Sequence, residues 1–542
     1  MEQSDARISS PEISASSVQQ THGIELETLK NTNKNSSKKD AEALPDDEGS
    51  QSKQKKSLAF KLAFIGLSAT LFVFQVDATA LGIALPTIAN DLKGSSLESF
   101  WANLSYTLCG LVMQPVWASI SDAFGRKPPL YVCICLFFIG SITFAVAQNM
   151  KTIIVGRVLQ GFGGGGIDVL IQVILADMTT LEERSKYLGL MGIPNAVGNI
   201  LGPSVGALFS TYATWRWIGW INLPILGIGT PLVFFFLKLR PVTMDASLAS
   251  NIERLDWIGM SLVVSGITVF VLPLSWAGSL FPWAAWQTLV PMILGVLVLV
   301  AFVFYEAKPA APIMPHRLFH SITANMTLLG GFIHGAILVS LLQYLPLIYQ
   351  AVYLETPINN LHDDGAMVWR LYLAIAILMG IAGSWYWYSG TLQSQFTSPM
   401  LFGLPVIWGT GVALLRLNLL PMQASVKNVD DTGVAIGQFL TIRMFGGLIG
   451  LTIASAIFNT VFAKTIASSS LKLTGPLVPL EDASKAVAFI KELGSLSISR
   501  GTLNEVLRVY LECFRTIFYT MAGLGALGLL TSMFLEEIDL KN

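Results

Sequence analysis

The sequence predicts an all-α integral membrane protein, and three observations lead there. Of its 542 residues 53% are hydrophobic and 13% charged, with a mean hydropathy of +0.59, too little polar surface to coat a soluble globule of that size. Apolar runs of roughly 20 residues, enough to cross about 30 Å of hydrocarbon, recur along most of the chain. Short basic loops fall between alternate runs, where the positive-inside rule puts cytoplasmic loops. The net charge of −1 gives no sign of a nucleic-acid partner.

The first 56 residues are another material, rich in Ser, Asn, Lys, Asp and Glu and almost without aromatic residues. Such a segment cannot bury enough apolar area to offset its chain entropy, so a disordered cytoplasmic tail is expected over residues 1–56. It lacks the apolar core of a secretory signal, and Lys53, Lys55, Lys56 and Lys61 before the first span should hold the amino end inside.

Candidate spans follow in order at Leu62–Leu85, Trp101–Ile120, Leu130–Ala147, Ile153–Ala176, Tyr187–Phe209 and Trp217–Leu237. A polar linker, 238–256, precedes Trp257–Trp276 and Thr288–Tyr305, and the softer spans Thr323–Ile348, Val368–Trp387, Pro399–Leu420, Val434–Phe462 and Phe514–Phe534 complete a count of thirteen. With the amino end inside, the loops of Arg126 and Lys127, Arg184 and Lys186, Lys238 and Arg240, and Lys308 and Arg317 are all cytoplasmic. Residues 57–237 read as an N-terminal six-helix unit, 238–310 as linker and two additional spans, 311–463 as a C-terminal unit, 464–513 as a polar loop with a short surface helix, and 514–542 as the last span and tail. Cys109, Cys133, Cys135 and Cys513 lack paired spacing and read as small buried thiols rather than a disulfide or metal framework.

The loop between the second and third spans runs Ala118-Ser-Ile-Ser-Asp122-Ala-Phe-Gly125-Arg126-Lys127. An acid facing a helix N-terminus and a basic cluster makes a modest, breakable lock, although an ordinary basic inside loop would also fit. In the fourth span, Gly156-Arg157-Val-Leu-Gln160-Gly161 leads through further glycines to Asp168. An arginine in hydrocarbon costs several kcal/mol unless it faces protein or water. Arg157 and Asp168 stand about 20° apart around the helix and roughly 16 Å along it, so both charges project from one face. Asp168 is either a partner in a structural ion pair or a titrating, substrate-facing group. Gly161, Gly163 and Gly166 match G-x-G-x-x-G, but no strand precedes them, and small residues within an apolar helix serve close packing instead of dinucleotide binding. The fifth span carries Gly198, Gly202, Pro203 and Gly206, a glycine stripe beside a helix-bending proline. Asp77, in the middle of the first span, is either a protonatable carboxylate or one held in a structural hydrogen bond. His334 and Arg443 are further polar residues within spans.

The loop at Asp122, Gly125, Arg126 and Lys127 resembles the cytoplasmic signature of the major facilitator superfamily, with Ala118 and Ala123 departing from it. The R-x-x-Q-G segment at Arg157 resembles that superfamily's proton-coupled members, and Gly198 to Gly206 its antiporter motif. Asp77-Ala-Thr79 through Ile88, Trp215-Arg216-Trp217 through Pro224, Asp256-Trp257-Ile-Gly259 and Tyr344 through Gln350 are similar to the fungal branch of fourteen-span drug:proton antiporters. The resemblance implies two six-helix bundles plus extra helices, about 13–14 in all, with Arg157, Asp77 and Asp168 in proton coupling and the Asp122 loop as a latch. It further implies a monomeric exporter of small amphipathic drugs, toxins or secondary metabolites in exchange for protons, in the plasma membrane more readily than the vacuolar one, with no cofactor or metal. One departure stands out: where the family places a span after Gln350, this chain offers the polar run Glu355–Asp364. A siderophore or metal-chelate carrier, or a non-transporting remnant or sensor, are the alternatives. No G-x-x-x-x-G-K-[ST] loop or HExxH occurs, and the GxSxG at Gly202–Gly206 lies inside an apolar span with no strand before it, so ATP-driven export and enzymatic chemistry have no sequence support.

Overall fold

The computed structural model describes residues 56–94, 96–239, 255–277, 281–309, 312–352, 419–426, 431–469, 473–493 and 498–534, with a few single positions between them. The tail before Lys56, the run Glu355–Asp364, Arg416 and the expected spans Val368–Trp387 and Pro399–Leu420, apart from the last two residues of the latter, lie outside the described residues.

The described chain is built from helices. They are α1 (Leu58–Asp91), α2 (Ser96–Phe124), α3 (Lys127–Ala145), α4 (Met150–Met178), α5 (Leu181–Tyr212), α6 (Trp217–Trp220), α7 (Asn222–Phe236), α8 (Trp257–Trp276), α9 (Trp286–Tyr305), α10 (Ile322–Val352), α11 (Leu419–Ala424), α12 (Thr432–Ser468), α13 (Ala486–Leu493) and α14 (Arg500–Ser532). Among the described residues nine stretches are long and apolar enough to cross a membrane, one of them running through α6 and α7. The predicted spans Trp101–Ile120 and Tyr187–Phe209 lie on α2 and α5, more polar helices of 29 and 32 residues.

Local chemistry sets the helix ends. Asn149 caps α4 by accepting from Thr152 N (2.9 Å), Asp256 caps α8 through Gly259 N (2.8 Å), and Ser499 caps α14 through Thr502 N (3.2 Å). Gly125 turns the chain from α2 into α3 at φ 81°, a conformation L side chains rarely adopt. Prolines then occupy the first turn of α3, where a missing N–H costs nothing.

In the N-terminal half α4 is the central helix, buried along nearly its whole length with α2 and α3 on its flanks, while α1 packs on α5 and α7. The glycine run of α4 explains the fit. A Cβ at Gly161 would meet Tyr106 O at 2.6 Å, and one at Gly163 would meet Phe137 N at 2.6 Å, so α2 and α3 both press on its backbone. In the C-terminal half α10, α12 and α14 pack together, and α12 also lies against α2 and α4 of the other half. The pair α8 and α9 leans on α2. Phe304, Leu297 and Val290 of α9 are more than half exposed, apolar faces suited to lipid.

Two expectations change here. The last helix begins at Arg500, not Phe514, because Val506, Val509, Tyr510 and Cys513 are buried while Glu505, Arg508 and Glu512 stay exposed. That amphipathic turn pattern is invisible to a hydropathy window. The short helix expected on the surface of the 464–513 loop is α13, and it is docked: Ala486, Phe489, Ile490 and Leu493 are buried, and Tyr510 Oη donates to Ala486 O (2.7 Å). Cys135, read as a small packing thiol, is exposed on α3, whereas Cys133 and Cys513 are buried.

Candidate functional site

The first functional cluster assembles around Asp77 of α1. Its Oδ2 accepts from Arg157 Nη1 of α4 at 2.6 Å, and both side chains are 1% exposed. Its Oδ1 accepts from Gln160 Nε2 (3.1 Å) and from Asn222 Nδ2 of α7 (2.9 Å). Both amides also donate to Ser141 Oγ of α3, at 3.0 and 3.1 Å. Tyr106 of α2 lies beneath the guanidinium, with its ring centroid 3.9 Å from Cζ, and donates its hydroxyl to Phe74 O (3.0 Å). Five helices thus converge on one ion pair. In so dry a place a lone charge would be prohibitive, and the pair, with its amide donors, is what makes each charge tolerable.

A second cluster surrounds Asp168, about three turns further along α4. Gln114 Nε2 of α2 donates to Oδ2 (3.0 Å), Gln172 Nε2 to Oδ1 (3.3 Å), and Arg443 Nη2 of α12 stands 3.6 Å from Oδ2. Asp168 therefore does not join Asp77 and Arg157. It faces the other half of the molecule instead.

The third cluster lies at the loop end of α2. Arg126 pairs with Asp122, donates Nη1 to Ser121 Oγ (2.9 Å) and Nε to Asp177 Oδ2 at the end of α4 (3.0 Å). Gly433, in the first turn of α12, abuts both: a Cβ there would stand 2.7 Å from Asp122 Oδ1 and 2.8 Å from Arg126 Nη2. Deeper in, a Cβ at Gly437 would stand 2.6 Å from Ala118 Cβ, and Arg184 Nη1 of α5 donates to Gln423 Oε1 of α11 (2.9 Å). The two halves are in contact at this end. Lys127 opens α3, half-buried, and forms no ion pair with the described residues.

The stripe Gly198, Gly202 and Gly206 of α5 presses on α1. A Cβ at Gly198 would meet Phe72 O at 2.8 Å, one at Gly202 would meet Val76 O at 2.7 Å and collide with Thr79, and one at Gly206 would collide with Ala80 O. The stripe therefore backs the turn that carries Asp77. Pro203 sits inside the continuous helix.

Sequence reading found Asp77, Arg157 and Asp168 but not what surrounds them. Gln160 entered only as part of the R-x-x-Q-G segment, although i and i+3 share a helix face, and Asn222 stands within the run beginning at Trp215. Ser141, Tyr106, Gln114 and Gln172 leave no local signal in their spans. His334 is buried within α10.

A model of the Major Facilitator Superfamily matches residues 67–451. The chain is 72% identical over 509 residues to the MFS-type transporter sphD of Aspergillus fumigatus, covering 90% of this chain and 87% of that one. It is 31% identical over 539 residues to the efflux pump FUS6 of Gibberella fujikuroi (93% and 95%), and 31% over 512 residues to the acurin A biosynthesis cluster MFS-type transporter of Aspergillus aculeatus (90% and 91%). Among solved structures, the proton:xylose symporter XylE shares the fold at a TM-score of 0.55 and 11% identity, covering 89% of this chain and 97% of that one. Buried charges inside apolar helices and halves meeting at a basic loop are thus accompanied by full-length similarity to transporters: the chain belongs to the Major Facilitator Superfamily and is a multi-pass membrane transporter.

Proposed function

We propose that this protein is a secondary active exporter that moves small amphipathic organic molecules, such as a toxin, drug or secondary metabolite, out of the cell in exchange for protons. The observation that carries the coupling is the fully buried Asp77–Arg157 pair. A proton added to Asp77 removes the charge that holds Arg157, so the guanidinium must find a new partner, and the helices sharing the network must shift. Release of that proton restores the pair. Asp77 is the proton carrier in this cycle, Arg157 the group that senses its charge, and Gln160, Asn222 and Ser141 orient the carboxylate. Asp168 and Arg443 join the halves, while Asp122, Gly125, Arg126 and Lys127 form the cytoplasmic latch. Gly198, Gly202, Pro203 and Gly206 let α5 stay close to α1 as it moves.

Outward direction is supported by the printed name of FUS6, an efflux pump, and a metabolite cargo by that of the acurin A cluster transporter. The protein works as a monomer in the plasma membrane.

The test is efflux of a fluorescent amphipathic dye from cells expressing the chain, with and without a proton gradient, beside Arg157→Ala. Gradient-dependent efflux that the substitution abolishes is expected. Efflux that ignores the gradient, or that survives in the variant, would overturn the coupling.

A further inference from the structure

The helices α8 and α9 contribute to none of the three clusters, yet two acids meet at their linker-side ends. Asp256, 7% exposed, precedes α8, and Glu306, 3% exposed, follows α9. One oxygen of each is engaged. Asp256 Oδ1 accepts from Gly259 N (2.8 Å) and Tyr305 Oη (3.1 Å), and Glu306 Oε2 accepts from Met314 N (3.1 Å). The other two, Asp256 Oδ2 and Glu306 Oε1, are buried and accept no hydrogen bond from the described residues. They are neighbours, since the point a Cβ on Gly259 would occupy touches Asp256 Oδ2 and lies 2.8 Å from Glu306 Oε1. Two ionised carboxylates so placed repel each other, whereas one proton shared by the two would let these oxygens close into a donor–acceptor pair.

What the pair holds is a strap leading to the gate. From Glu306 the chain runs through Ile313 and Met314 to the turn His316–Phe319. Ile313 O accepts from Gln438 Nε2 of α12 (2.9 Å), and Arg317 grips Asp431, the residue before α12, with hydrogen bonds of 2.7 and 2.6 Å. Two residues on is Gly433, which abuts Asp122 and Arg126. A half-open cavity of about 270 Å³, lined by Val303, Glu306, Met314, His316 and Phe319, lies between the strap and the end of α9.

We propose that Asp256 and Glu306 share one proton and act as a positioning pair, setting the strap and through it the first turn of α12 against the Asp122–Arg126 latch. The two additional helices are then part of the gate. Burial pushes the Glu306 carboxyl up and the Asp256 charge adds to this, while the Met314 and Ile313 N–H groups and the His316 imidazole oppose it. A raised carboxyl keeps its proton to higher pH, so the pair is intact at lower cytoplasmic pH and is lost as pH rises. The inference needs halves that open and close, but not Asp77 as the proton carrier.

The experiment is dye exchange in vesicles holding the full chain, at equal pH on both sides so that no gradient drives transport. Wild type is compared with Glu306→Gln, Asp256→Asn and Glu306→Ala at matched protein levels. Wild-type exchange should fall on the alkaline side, approaching about tenfold per pH unit beyond the pair's midpoint, as a single proton demands. Glu306→Gln and Asp256→Asn, whose amides donate at every pH, should keep exchange and abolish the alkaline fall; Glu306→Ala should be slow throughout. An unchanged alkaline fall in Glu306→Gln, or a Glu306→Gln as slow as Glu306→Ala, overturns the proposal. If Glu306→Ala does not accumulate, the Glu306→Gln profile alone decides. Failure of the proton-exporter reading is separable, because it would appear as gradient-independent efflux while the difference between wild type and Glu306→Gln persists.

Discussion

Arg157 and Arg443 each meet a buried aspartate in this molecule, and the two meetings differ in nearly every physical respect. The Asp77–Arg157 contact is 2.6 Å long, with both partners 1% exposed, and lies inside the N-terminal half. The Asp168–Arg443 contact is 3.6 Å, with its partners 4% and 13% exposed, and joins α4 to α12 across the two halves. Asp77 accepts from three side chains, while Asp168 is shared among two amides and a distant guanidinium. In the proposed cycle the first arrangement serves a carboxylate whose change of charge must shift the helices that share its network. A contact that parts when the halves separate is served by the second, where Asp168 keeps its two amide donors within its own half.

The sharpest way to break the comparison is to remove each acid. Asp77→Ala leaves Arg157 charged and unpaired in a dry interior, and should cost about 3–5 kcal/mol. Asp168→Ala leaves an arginine with some access to solvent and should cost about 1–2 kcal/mol. Thermal unfolding in detergent orders the two, and equal losses would mean that the pairs do not differ as described.

A smaller effect probes the scaffold behind the first pair. Gly202→Val drives a side chain into Thr79 and the Val76 carbonyl, next to Asp77, and overpacking of this kind costs about 1–3 kcal/mol. Gly189→Ala, on the same helix with nothing within 4 Å, is the control and should be silent. Thermal unfolding and dye efflux read both variants, and a silent Gly202→Val would show that α5 can retreat from α1.

The smallest effect calibrates the scale. Arg317 is 55% exposed in its pair with Asp431, so Arg317→Ala should change unfolding by about 0–1 kcal/mol. A loss as large as that of Asp77→Ala would make exposure a poor guide to these pairs.

The sequence was legible where information is local. Hydropathy located every described spanning helix from Leu58 to Val352, and the expense of Arg157 and Asp77 in hydrocarbon singled them out before any fold was known. Legibility failed where one residue type serves two environments. The turns Arg500–Cys513 looked like loop because their charges outweigh their apolar face, although that face is buried on α12 and α13. Asp168 was left between an ion pair and a substrate-facing role, because nothing near it in sequence marks Arg443 as its neighbour. Ser141 and Tyr106 are ordinary residues of apolar helices until packing brings them to Arg157.

By itself the sequence determined that the chain is a membrane-spanning helical protein, which stretches span, and which charges must be hidden. Those properties are sums over neighbouring residues, and a bilayer enforces them one helix at a time. Only the tertiary structure decided which acid meets which arginine, that the glycines of α5 lie behind Asp77, and that Asp256 and Glu306 meet at the ends of α8 and α9. Such pairings depend on how separate helices pack and cross. Packing depends on shape matched over long sequence distances, which no local pattern records.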